Sequence, residues 1–111
     1  MKRSDLLEHL RLTHFESGDR QLALADAGRI ARFLQASGAK RVVGIGSAFD
    51  PARPFTHRSD IDLVATGIDP GRFFAVSAEA QALTSLPLDL TPTESATPAL
   101  MRVVNDEGVE L

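Results

Sequence analysis

Three aspartates are the residues in this chain best suited to chemistry. Asp60 and Asp62 stand one residue apart in Ser59-Asp60-Ile61-Asp62-Leu63-Val64, and Asp89 stands between two leucines in Leu88-Asp89-Leu90. Side chains alternate along a strand, so Asp60 and Asp62 share one face while Ile61 and Leu63 share the other. Two carboxylates about 4 Å apart at an effective dielectric of about 20 repel by roughly 4 kcal/mol. Water, a proton, a basic side chain or a divalent cation must offset that repulsion. If the strand carrying Asp89 lies beside the first, all three carboxylates converge. Clustered acidic oxygens are hard ligands suited to Mg²⁺ or Mn²⁺. Such ions can clamp the attacking and leaving oxygens of an in-line phosphoryl displacement.

Gly46-Ser47, directly after the apolar run Val42-Val43-Gly44-Ile45, supplies a complementary feature. A glycine after a strand lets backbone approach a ligand closely. The amides that follow, with the Ser47 hydroxyl, can point donors at an anion. A phosphate held on one side and its bridging cation on the other would suit a nucleoside triphosphate with its metal. Taken singly, each feature has a plainer meaning. A Gly-Ser pair is most often a turn, an Asp-x-Asp a solvated face, and Asp89 an exposed residue on an edge strand. Their order and strand contexts together raise the functional reading.

The elements that must position these residues follow from periodicity. Ser4 to about His14 reads as a short amphipathic helix, with Leu6, Leu7 and Leu10 on one face and Ser4 as its cap. Ser17-Gly18-Asp19 reads as a break, with Asp19 capping a longer helix over about 20–36. Ala23, Ala27, Ile30 and Leu34 form its buried stripe, widened by Phe33, and Gly38 ends it. Gly28 lies mid-helix and marks either close packing or simple tolerance. The expected strands are 41–45, 60–66 and 86–90, with Leu88 and Leu90 on one face and Asp89 on the other. Pro51 and Pro54 rule out a long helix in the loop between the first two, though one or two turns can begin at Ser47. A helix over about 72–83 draws candidate core contacts from Phe73, Phe74, Val76, Ala80 and Leu83. It forms a crossover that allows the second and third strands to run parallel. Residues 91–97 read as a polar loop. Thr97-Pro98 opens a last helix, Gly108 stops it, and Val109-Glu110-Leu111 can add a short strand. This order gives an α/β (α+β) fold with a small mixed sheet flanked by helices. Sequence leaves the strand order open.

The 111 residues suit a single domain, here 1–111 with residues 1–19 as a helical N-terminal extension. A net charge of −3 gives no reason to expect direct nucleic-acid binding. The absence of cysteine excludes disulfides and thiolate metal sites, and fits a cytoplasmic location. No signal peptide or membrane span is expected. No GxxxxGK[ST] pattern occurs, which excludes a P-loop enzyme. Ser47, His57 and Asp60 lie too near in sequence to be read as a hydrolase triad.

Together these residues resemble the DNA polymerase beta nucleotidyltransferase superfamily, and most closely its minimal nucleotidyltransferase (MNT) domains. The pattern is an apolar strand, Gly46-Ser47, a linker, Asp60-Ile61-Asp62 in a strand, and a later carboxylate in Leu88-Asp89-Leu90. The ending Arg102 to Leu111, with its Glu107-Gly108 turn, is similar as well. The likeness covers roughly residues 20–111. It implies that Asp60, Asp62 and Asp89 are catalytic and bind Mg²⁺ or Mn²⁺, with Asp89 helping to deprotonate the acceptor. Gly46 and Ser47 would hold the triphosphate. It implies transfer of a nucleoside monophosphate, AMP from ATP, to a hydroxyl with release of pyrophosphate. It also implies a HEPN-domain protein as partner in a toxin–antitoxin pair. The chain departs from the family pattern in a longer linker, Phe49 to Ser59, with two prolines. Arg58, which sits beside the carboxylates, is a nucleotide-binding candidate, and Arg53 and His57 are further phosphate-contact candidates from this loop. The alternatives are a non-catalytic binding module of the same fold that neutralises a partner by contact, and a subunit of a small-molecule nucleotidyltransferase. The short chain leaves little material for an acceptor site, so a partner protein or a homo-oligomer would supply one.

Overall fold

The computed structural model describes the backbone of residues 3–56 and 58–111, and the side chains of residues 20–56 and 58–111. His57 lies outside the described residues. Helix α1 spans Arg3–Ala36, strand β1 Arg41–Ile45, β2 Ile61–Thr66, helix α2 Phe73–Gln81, β3 Leu88–Pro92, α3 Pro98–Glu107 and β4 Val109–Glu110. Short 3-10 turns occupy Ser47–Phe49, Pro70–Arg72 and Thr93–Ser95. The four strands form one sheet in the order β3-β2-β1-β4. β1 runs antiparallel to β2 and β4, and β2 and β3 are parallel, as the α2 crossover allows.

Alternation on the strands sorts the sheet into two faces. Val42, Ile61, Leu63, Ala65 and Leu90 pack against Ala23, Ala27, Ile30 and Leu34 of α1 and against Val76 and Ala80 of α2. Val43, Ile45 and Val64 point the other way and pack under Val104, Leu100 and Met101 of α3. Burying each large aliphatic side chain contributes about 1.5–3 kcal/mol. α3 begins as its sequence suggests: Pro98 occupies the first turn and the Thr97 hydroxyl accepts from the Leu100 amide at 3.1 Å. β4 closes the sheet beside β1, where Arg41 donates to Glu110 at 2.6 Å.

Four expectations are corrected. The break at Ser17-Gly18-Asp19 is absent, because α1 is one helix of 34 residues and Asp19 is not its cap. A glycine inside a helix costs about 1 kcal/mol, less than ending one helix and nucleating another. β2 begins at Ile61, so Asp60 lies just ahead of the strand. β1 turns away after Ile45, the register partner of Asp62, which leaves Asp60 no partner there. The third strand is shifted to 88–92, because the side chains of Gln81 and Thr84 hold Leu86. Finally, Phe74 is 89% exposed and Leu83 39%, whereas Val76 and Ala80 are buried. Phe73, Val76 and Ala80 follow helical spacing on one face, and Phe74 falls about 100° away from it. At Gly28 an added Cβ would meet nothing closer than 3.8 Å, so that glycine marks no tight packing.

Candidate active site

The site begins where β1 ends. Gly46 adopts φ 86° and ψ −167°, a backbone conformation that residues with a Cβ avoid. A Cβ placed on Gly46 would sit 3.5 Å from Oδ2 of Asp62, so the glycine turn and the second aspartate are immediate neighbours. Ser47–Phe49 then makes one 3-10 turn, closed by the Phe49 amide on the Gly46 carbonyl at 3.1 Å. The Phe49 ring folds back over β1 onto Gly44, where any Cβ would lie 2.3 Å from the ring. Gly44 is therefore the slot that lets the turn close. A glycine inside a buried strand weakens it and marks such an approach, a signal legible in the sequence.

Asp62 lies between Ile45 of β1 and Asp89 of β3 in the sheet register. Its neighbours Ile61 and Leu63 enter the core under α1, so Asp62 points to the α3 side. It is partly buried, while Asp60 and Asp89 are exposed. The Asp62 carboxyl is pushed up from 3.8 to about 6, most of all by burial. The Asp89 charge, a hydrogen bond from protonated Asp62 to Asp89, and the Asp60 charge contribute to the same rise, and the positive charge of Arg53 opposes it. The three carboxylates thus act on one another. They do not form a ready-made shell, since among the described residues no three His, Cys, Asp or Glu side chains stand close enough to hold a metal. The donors present are all carboxylate oxygens, which fits a hard divalent cation: Asp62 and Asp89 would hold it, with Asp60 as the outer third ligand.

The loop after the turn is ordered by its own short contacts. The Asp50 carboxylate accepts from the Ala52 amide at 3.0 Å, and the Asp50 carbonyl accepts from Arg53 N at 3.1 Å. Arg20 of α1 donates to the Arg53 carbonyl. Phe55 is fully buried and anchors the loop in the α1-side core. The Ser59 hydroxyl accepts from the Thr56 amide at 3.0 Å, and the Thr56 hydroxyl accepts from the Arg58 amide at 3.2 Å. Arg58 itself is exposed. Of the described basic loop residues, Arg53 is the one whose charge acts on Asp62. The reading of this segment as a linker overlooked Phe55, an apolar residue whose presence there was the available signal.

A concavity lies elsewhere. A cavity of about 250 Å³ is lined by Ile68, Pro70, Phe73, Pro92 and Glu94, with Phe74 at its side. These residues follow the C-terminal ends of β2 and β3, whereas Asp62 and Asp89 lie near the N-terminal ends of those strands. No carboxylate of the site lines it. The convergence of charge, rather than cavity size, marks the carboxylates as the candidate site.

The chain matches no family profile. It also matches no curated protein. Solved structures share its fold. A mutant MntA–HpeT toxin–antitoxin complex superposes with a TM-score of 0.63 at 18% identity, over 76% of this chain and 70% of that one. A tri-AMPylated HEPN toxin of Shewanella oneidensis in complex with its MNT antitoxin gives a TM-score of 0.59 at 17% identity, over 79% and 70% of the two chains. A toxin–antitoxin structure with AMP-PNP gives 0.63 at 18% identity, over 76% and 70%. The two-faced sheet, the glycine turn and the aspartate strands of this chain thus build an α+β architecture shared with these toxin–antitoxin structures.

Proposed function

We propose that this chain is a divalent-cation-dependent nucleotidyltransferase that moves AMP from ATP to a hydroxyl of a HEPN-type partner, as the antitoxin of a toxin–antitoxin pair. The observation that carries the reading is the side-by-side register of Asp62 and Asp89 next to the Gly46 turn. Two of the similar structures add support, one being a HEPN toxin that is tri-AMPylated and another a complex with AMP-PNP. The MntA–HpeT mutant replaces two aspartates separated by one residue with glutamates, the spacing of Asp60 and Asp62.

Gly46 and Ser47 would receive the triphosphate through backbone amides and the hydroxyl, with Arg53 and Arg58 adding positive charge from the loop. Asp60, Asp62 and Asp89 would hold Mg²⁺ or Mn²⁺, which when bound neutralises phosphate charge and orients the reacting oxygens. The acceptor oxygen forms a bond to the α-phosphorus, the bond from that phosphorus to the bridging oxygen breaks, and pyrophosphate leaves. Asp89, exposed at the edge strand, takes the acceptor proton. The acceptor side would come from the partner.

The carboxylates are not gathered into a preformed metal-holding group, and this favours one second reading, a module that neutralises its partner by contact alone. One experiment separates the two. Asp60→Asn with Asp62→Asn is expected to abolish Mg²⁺-dependent label transfer from α-labelled ATP to a co-expressed HEPN partner, and with it neutralisation of that partner in cells. Undiminished transfer would sink the catalytic reading. Neutralisation retained without transfer would establish the contact-only module.

A further inference from the structure

Asp89 sits on β3, the edge strand of the sheet, with β2 on one side. On an edge strand, backbone groups point alternately toward the neighbour and outward, and the outward ones have no strand to pair with. The Pro87 carbonyl faces β2 and accepts from Ile61 N at 2.9 Å. The Leu86 carbonyl and the Leu88 amide therefore face outward. Both are bonded by one side chain. Gln81, the last residue of α2, donates from Nε2 to the Leu86 carbonyl at 2.9 Å and accepts at Oε1 from the Leu88 amide at 3.0 Å. Its amide presents the donor and acceptor that a further strand would present, and it closes the edge at the residue before Asp89. A second tether fixes the same segment. The Leu86 amide donates to Thr84 Oγ1 at 3.0 Å, and that hydroxyl donates to Asp26 of α1 at 2.7 Å, an aspartate only 2% exposed.

We propose that Gln81 is a positioning residue that sets the Asp89 carboxylate against Asp62 for metal binding. This rests on the reading of the site given under Proposed function. Gln81 is itself exposed, so removing its amide takes no apolar side chain out of the core. Gln81 bonds the backbone of Leu86 and Leu88 rather than the Asp89 carboxylate, so it acts through the strand that carries the proposed ligand; outer partners of metal ligands typically matter 10–100-fold for metal affinity.

The test uses the full chain and four proteins: wild type, Gln81→Leu, Asp89→Asn and the double variant. Mn²⁺ is titrated in the presence of AMP-PNP with free Mn²⁺ read by electron paramagnetic resonance, and amide exchange is measured without metal. Gln81→Leu is expected to weaken Mn²⁺ binding roughly 10-fold. It should also speed exchange at the Leu88 amide while protection of the β1 and β2 amides is kept. In the Asp89→Asn background the same change should add nothing, because the group it positions is gone. Equal weakening in both backgrounds would show a general structural effect and overturn the proposal. So would unchanged Mn²⁺ affinity in Gln81→Leu. A wild type that binds no Mn²⁺ with AMP-PNP would instead overturn the reading of the site, and the positioning role with it.

Discussion

Asp62 bears the unfavourable environment of the site at a single residue. Burial deprives it of water, and Asp89 and Asp60 add like charge, so its carboxyl is pushed from 3.8 to about 6. The folded protein therefore holds this proton more tightly than the unfolded chain does. By linkage, the resulting stability is present below 3.8 and lost as pH rises through about 6. The unfolding temperature of the metal-free protein should fall across that window in a component that Asp62→Asn removes. At neutral pH, Asp62→Asn should melt a few degrees above wild type in EDTA, while losing transfer activity. Parallel pH profiles for the two proteins, measured by scanning calorimetry, would show that another group is responsible. The aspartates and the Gly46-Ser47 pair were legible at this scale because residue type and alternation are local properties. Arg53 could not be singled out from Arg58, because which guanidinium reaches Asp62 depends on how the loop folds.

The element that shapes the phosphate side of the proposed site is β1 with its following turn. Phe49 covers Gly44 so closely that a Cβ at Gly44 would sit 2.3 Å from the ring. Gly44→Ala must displace the ring and with it the turn at Ser47. A cost of about 1–3 kcal/mol is expected from such overpacking. In a Phe49→Leu background the same substitution should cost much less, since a smaller, more adaptable side chain can move aside. Urea unfolding of the four proteins gives the coupling; an equal cost in both backgrounds would mean that the strand itself, not the ring, rejects the methyl group. Element boundaries were the least legible part of the sequence. α1 continues through Gly18, and β3 starts two residues late because Gln81 and Thr84 hold the segment before it. Both outcomes are set by partners distant in the chain.

At the scale of the molecule, the core anchors the long loop between β1 and β2 through Phe55. Phe55 is fully buried among residues of the α1-side core although it lies in the loop between β1 and β2. Phe55→Ala should destabilise the fold by about 3–5 kcal/mol, a large share of the roughly 5–15 kcal/mol of a typical domain. A loss under about 1 kcal/mol in denaturant titration would mean that the loop is held by its turns alone. Phe74, by contrast, stands 89% exposed beside a concavity of about 250 Å³, although its aromatic side chain makes it a core candidate in the sequence. Among the described residues, no helix is long and apolar enough to cross a membrane. By itself the sequence determined the fold class, the alternation that turns Asp62 and Asp89 away from the core, and the glycine turn before the 3-10 helix. These follow from strand periodicity and from the φ that only glycine readily adopts. Only the tertiary structure decided the order β3-β2-β1-β4 and the register that sets Asp62 opposite Asp89. It also decided the exposure of Phe74 and the closing of the β3 edge by Gln81. Each of these depends on contacts between segments far apart in the chain, whose pairing is chosen by the packing of the whole core rather than by any local pattern.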